Sequence, residues 1–89
     1  MRTVWKYQMT TVEKAIVMPE GAKIVHFDIQ LGCPTFWAEV ETEAKPQRRH
    51  FCIFGTGEKV SFEFNTHRGT CLDREYVWHL FENTIPASS

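Results

Sequence analysis

The sequence predicts an all-β fold, a small antiparallel sandwich or barrel of about six or seven strands with room for one short helix. Three observations carry this reading. Lys23 to Leu31 alternates apolar Val25, Phe27, Ile29 and Leu31 with polar His26, Asp28 and Gln30, the period of a half-buried strand. Turn-forming clusters recur at short intervals, as Pro19-Glu20-Gly21, Gly32-Cys33-Pro34 and Gly55-Thr56-Gly57, which suits short strands rather than long helices. The run Phe51-Cys52-Ile53-Phe54 sends bulky apolar side chains to both faces of one strand, so that strand must be covered on both sides.

Taken in order, Thr3 to Met9 puts Trp5, Tyr7 and Met9 on one face against Lys6 and Gln8, a first strand. Thr10 to Met18 fits either a helix opened by the Thr10-x-x-Glu13 capping pattern or an extended run through Val12, Ile16 and Val17; the strand is preferred. Pro19-Glu20-Gly21 makes a turn into the Lys23 to Leu31 strand. After Gly32-Cys33-Pro34, Phe36, Ala38 and Val40 resume an inward face, with Trp37, Glu39 and Glu41 outward, completing a hairpin. Ala44 to Arg49 lacks an apolar pattern and holds three cations, so it is read as an exposed loop. Val60, Phe62 and Phe64 alternate with Ser61 and Glu63 as a further strand, and Asn65 to Gly69 as a loop. Thr70 to Glu82 is read as a hairpin turning at Asp73 to Glu75, because β-branched and aromatic residues dominate its second arm. Residues 83–89 are expected to fray.

Eighty-nine residues are enough for one domain, residues 1–89, and too few for two cores. Ten basic and eleven acidic side chains give a formal charge of −1, which excludes generic attraction to nucleic acid or an anionic membrane. Apolar runs fall far short of the roughly 20 residues of a membrane helix. Cys33, Cys52 and Cys71 are odd in number with no close pair, as expected of reduced thiols in a cytoplasm.

Several short motifs lie in a recognisable order. They are Val4-Trp5-Lys6-Tyr7, Met18-Pro19 with Gly21-Ala22, Trp37-Ala38, Phe54-Gly55-Thr56-Gly57, Gly69-Thr70 and Val77-Trp78-His79-Leu80-Phe81-Glu82. Together they resemble a family of short uncharacterised proteins of tailed phages and prophages. The resemblance implies a phage origin, a one-domain protein and the cytoplasm of the bacterial host, and it brings no catalytic residues with it.

For chemistry, four histidines and three cysteines invite a metal, yet their spacing lacks the close ligand pairs of zinc sites, so neither metal nor cofactor is expected. No local signature of a nucleophile is present. The clearest binding signal is for an anion. Gly55-Thr56-Gly57 supplies turn N–H groups beside Lys59, and Arg48 and Arg49 lie at the strand's other end, with His67 and Arg68 in the next loop; guanidinium and turn N–H groups suit phosphate. Trp5 and Trp78 are expected in the core. Trp37, on the outward face with Glu39 and Glu41, is expected at an interface or in a ligand pocket. The function read from this is a non-enzymatic phage accessory protein acting by binding, in counter-defence, on a host protein or a nucleotide signal. The alternatives are a virion or assembly protein and a small enzyme on a nucleotide or peptide. A homo-oligomer is expected, with a host protein or an anionic small molecule as the further partner.

Overall fold

The computed structural model describes residues 1–86; the expectation of fraying at residues 87–89 falls outside the described residues. Seven strands form, β1 (Arg2–Gln8), β2 (Glu13–Pro19), β3 (Lys23–Gln30), β4 (Cys33–Glu41), β5 (Pro46–Gly55), β6 (Thr66–Asp73) and β7 (Tyr76–Asn83). They make two antiparallel sheets, ordered β1-β4-β3 and β2-β5-β7-β6. The fold is a small β-sandwich, and the described residues contain no helix.

The inner faces meet in one core. Phe27 of β3 and Phe36, Ala38 and Val40 of β4 pack with Ile16 and Met18 of β2, Phe51 and Ile53 of β5, Cys71 of β6 and Leu80 of β7. The Phe36 ring lies 5.3 Å from Tyr7 and 4.8 Å from Phe51, joining three strands through stacked and tilted aromatic contacts. Each such large side chain contributes about 1.5–3 kcal/mol on burial. Where β3 crosses β6 the sheets come closest, and a Cβ on Gly69 would sit 2.8 Å from Cβ of Phe27, so only glycine fits.

The two-sided burial of β5 is as the sequence predicts. Phe51 and Ile53 enter the main core, while Cys52 and Phe54 form a second cluster with Phe64 and Phe81. What covers that outer face differs from expectation. Val60 to Phe64 is not a strand but part of a loop over β5 and β7. Phe64 alone of its alternating residues is buried, and Phe62 is 85% exposed. The loop needs one anchor, and Phe64 provides it edge-on to Phe54 at 5.9 Å.

Other departures have local causes. Pro46 to Arg49 is the start of β5, not a loop, because it pairs with β2 from Pro19↔Pro46 to Ile16↔Arg49; proline is tolerated at the first position of a strand. Thr66 to Gly69 likewise belongs to β6. A bulge between Ile24 and His26 gives the inward place to Ile24 and leaves Val25 exposed. Cys33 and Pro34 lie in β4, so the turn is Leu31-Gly32, with φ of 51° and 76°. Two successive positive φ values mark the primed turn that matches strand twist. Trp5 pairs with Ala38 on the inner side but at the rim, where it stays exposed; Trp78 packs against the core. β2 and β7 are strands, and the last hairpin turns at Arg74 and Glu75. Asn83 closes β7, and Thr84 N–H donates to Asn65 Oδ1 at 2.9 Å, so the chain is held past the point where fraying was expected.

Leu31 is 95% exposed and sits in a conformation that costs an ordinary L-residue about 1–2 kcal/mol. Leu31→Asn should therefore raise stability by about 1 kcal/mol, read as a higher urea midpoint at unchanged slope. An unchanged or lower midpoint would show that the turn is not strained.

Candidate functional site

Alternation along β5 that sends Phe51 and Ile53 inward also sends Arg49 inward, at the end of the sandwich where the core gives way to solvent. On β7, Glu82, which pairs with Phe51, is only 3% exposed. A bare carboxylate there would be costly. Arg49 Nε donates to Glu82 Oε2 at 2.6 Å and its Nη2 to Oε1 at 2.7 Å, a bidentate pair. Arg49 Nη1 donates to the Ala22 carbonyl oxygen at 2.6 Å, reaching the turn that links the two sheets. Arg68 arrives by a different device. The register of β6 on β7 jumps from His67↔Phe81 to Gly69↔Leu80, and the unpaired Arg68 places Nε 2.8 Å from Glu82 Oε1. Bulges re-aim side chains in this way.

Burial acts to raise the Glu82 carboxyl, but the hydrogen bonds and charges of Arg49, then Arg68, outweigh it and hold the group below the usual carboxylate range. Arg49 is spent on this arrangement. Arg68 is not, since its Nε alone is engaged among the described contacts and its side chain is 33% exposed. Arg48, exposed on the same strand, completes the wall of a cleft of about 510 Å³ lined by Gly21, Arg48, Arg49, Arg68, Glu82 and Thr84 among others. Three arginines and one glutamate are among the lining residues, a formal excess of two positive charges.

The structure thus brings together Arg48, Arg49 and Arg68, which the sequence placed in separate groups, and separates them from the others. Gly55, Thr56, Gly57 and Lys59 lie at the far end of β5. The turn is not an open anion cradle: Gly55 N–H already donates to Glu58 Oε1 at 3.1 Å, and Thr56 N–H to the Val77 carbonyl. Lys59 is exposed and lines none of this cleft. His67 is on the outer face of its sheet, where its Nε2 lies 2.8 Å from Thr70 Oγ1; that oxygen is 2.9 Å from His79 Nδ1, and His79 Nε2 is 2.9 Å from Thr56 Oγ1. This chain of side chains ties the start of the covering loop to β7 and β6. Trp37 is half-buried on the outer face of the other sheet, paired with Lys6 and His26 and 5.5 Å from the His26 ring.

Sequence reasoning missed Glu82. Its only signal was an acid on the inward phase of an apolar strand, beside Leu80 and Trp78. Among the described residues no group of three or more His, Cys, Asp or Glu could hold a metal ion, and no helix is long and apolar enough to cross a membrane. Cys71 is pushed up to about 11, by burial first and then by Asp28 and Asp73, and burial also raises Cys52. Both thiols stay protonated at neutral pH, which makes them poor nucleophiles.

Fold and cleft together define the class: a seven-stranded antiparallel β-sandwich with an arginine-lined cleft at one end. Residues 1–89 match the family described as a domain of unknown function, DUF7352, and the chain belongs to that family. No curated protein and no solved structure matches it.

Because the folded Glu82 carboxyl is held low, its contribution to stability is complete above the unfolded value of about 4.3 and is lost as pH falls through the lower folded value. Glu82→Gln should remove much of the acid dependence of the unfolding midpoint. At pH 7 it should cost about 3–5 kcal/mol, since it leaves a buried guanidinium without its counter-charge. A variant that matched the parent at pH 7 and kept its acid profile would overturn this assignment.

Proposed function

We propose that the protein acts by binding rather than catalysis, and that its ligand presents an anionic group, of the phosphate or carboxylate kind, to Arg48 and Arg68. The single observation behind this is that Glu82 consumes Arg49 but leaves Arg68 terminal nitrogens and the whole of Arg48 beside the same cleft. A buried carboxylate that fixes one guanidinium preorganises its neighbours, which lowers the entropy lost when an anion is clamped. In the phage setting that the motif resemblance implies, such a protein would serve counter-defence in the host cytoplasm, by occupying a host protein or sequestering a nucleotide signal. That part of the proposal rests on the resemblance alone.

Pyrophosphate is a suitable probe. Calorimetry should show binding that weakens with salt, and Arg48→Ala with Arg68→Ala should reduce affinity at least about tenfold at one to two lost charge-assisted contacts. Lys59→Ala, at the far end of β5, should bind as the parent does. Equal binding by the parent and the double variant, or an effect confined to Lys59→Ala, would sink the reading.

A second reading, a part that makes protein contacts, is favoured by the outer face of the three-stranded sheet, where Val4 is exposed and Trp37 only half-covered. We propose that this face joins two copies in a symmetric dimer. Sedimentation at tens of micromolar should give about twice the mass of one chain, falling to one chain in Trp37→Ala. A parent that sediments as a single chain would end this proposal.

A further inference from the structure

The geometry points to a second binding site, at the end of β5 that carries Gly55, for a small apolar molecule bearing an ammonium group. A cleft of about 440 Å³ opens there between the sheets, lined by Met9, Val12, Pro34, Ile53, Trp78 and Glu58 together with Thr10 and Thr11. Its size falls in the range of small-molecule sites, about 300–1,000 Å³, and its character matches them, mostly apolar with few polar groups.

The Gly55-Thr56-Gly57 turn builds the polar part. Glu58 N–H donates to the Gly55 carbonyl oxygen at 3.1 Å, and Gly55 N–H returns a bond to Glu58 Oε1 at 3.1 Å. These reciprocal bonds pin the carboxylate. A Cβ on Gly55 would stand 2.9 Å from Glu58 Oε1 and 3.2 Å from Trp78 Cζ3, so the missing side chain is what lets carboxylate and indole converge on one spot. The turn therefore concentrates negative charge, the opposite of the anion cradle its glycines predict.

Glu58 is the only charged residue in the lining, and it makes no ion pair among the described residues. Neither Lys59 nor Lys14 answers it. Lys59 is exposed and outside the lining, and Lys14 Nζ is occupied by the Gln8 carbonyl at 3.3 Å and Thr10 Oγ1 at 3.1 Å. On its other side the indole Nε1–H meets Asp73 Oδ2 at 3.3 Å, which adds a second carboxylate near the ring. An indole beside a carboxylate that has no ion-pair partner among the described residues, at the mouth of an apolar cleft, is the chemistry that receives an organic ammonium. An acid would meet Glu58 with like charge.

The test uses the full chain with Trp5→Phe and Trp37→Phe, excited at the red edge of indole absorption, so that Trp78 is the sole tryptophan observed. Phenethylamine should quench or shift its emission saturably, with a dissociation constant on the order of 1 mM or below, while 3-phenylpropionate should not saturate. Glu58→Gln keeps an acceptor for Gly55 N–H and should weaken the amine about tenfold, the loss of one charge-assisted contact. Val12→Lys, at an exposed position of the same lining, should weaken the amine and admit the acid even if Glu58→Gln fails to fold. Absence of saturation by the amine, equal response to acid and amine, or an amine affinity indifferent to both substitutions would overturn the proposal.

Discussion

The Phe51 to Phe54 stretch of β5 has to be dry on both faces, and most of the architecture answers that requirement. Phe51 and Ile53 on one face demand a facing sheet, which β4 and β3 supply through Phe36, Ala38 and Phe27. Cys52 and Phe54 on the other face demand a cover, and no third sheet can be built from the remaining chain. The loop of residues 56–65 covers the face instead, with Phe64 and Phe81 closing over Phe54 at 5.9 and 5.7 Å. A strand sandwiched in this way must sit inside its sheet, and β5 does, between β2 and β7. Its two ends are then the places where apolar burial stops, and both clefts form there.

At the Arg49 end the transition from core to solvent is made by charge. Glu82 continues the inward phase of β7, so burial is imposed on it by its strand, and Arg49 and Arg68 compensate with three hydrogen bonds of 2.6 to 2.8 Å. Such a group is weak as a source of net stability, because a well-packed apolar replacement would do as well. Its value lies in specificity. It fixes the bulge in β6, holds the Ala22 turn and sets the register of three strands with contacts that no shifted pairing could reproduce. A slip of one residue would send Glu82 to the outer face and leave both guanidinium groups without it.

Much of this was legible in the sequence. Alternation identified β3 and β4, β-branched and aromatic content identified the last hairpin, and the apolar run at residues 51–54 announced a strand buried twice. The rest failed for identifiable reasons. Val60, Phe62 and Phe64 alternate as a strand would, but alternation records a face only if a partner strand exists, and β7 is already paired on both sides by β5 and β6. Arg48 and Arg49 looked like a solvated loop because the partner of Arg49 is Glu82, 33 residues away, and the strand that pairs with both is β2; no local pattern reports contacts of that range. Val25 and Leu31 were placed inward by counting in twos; a bulge and a tight turn each break the count. Arg68 was read with His67 as one basic pair, yet consecutive residues of a strand point to opposite faces of the sheet.

The same comparison bears on charge. A formal net charge of −1 describes the chain only at long range, where exposed charges are screened beyond roughly a Debye length, about 8 Å at physiological salt. Within that distance cancellation is a matter of placement. Here Gly55 stands six residues beyond Arg49 along β5, about 20 Å at 3.3 Å per residue, more than two screening lengths. The arginine cleft and the Glu58 cleft therefore do not neutralise one another, and each presents its own sign to whatever approaches it. Composition alone describes such a molecule as nearly neutral, whereas its fold makes it two local poles held apart by one buried strand. Binding chemistry in a domain of this size is thus decided less by how many charges the chain carries than by which residues β5 keeps at its two ends.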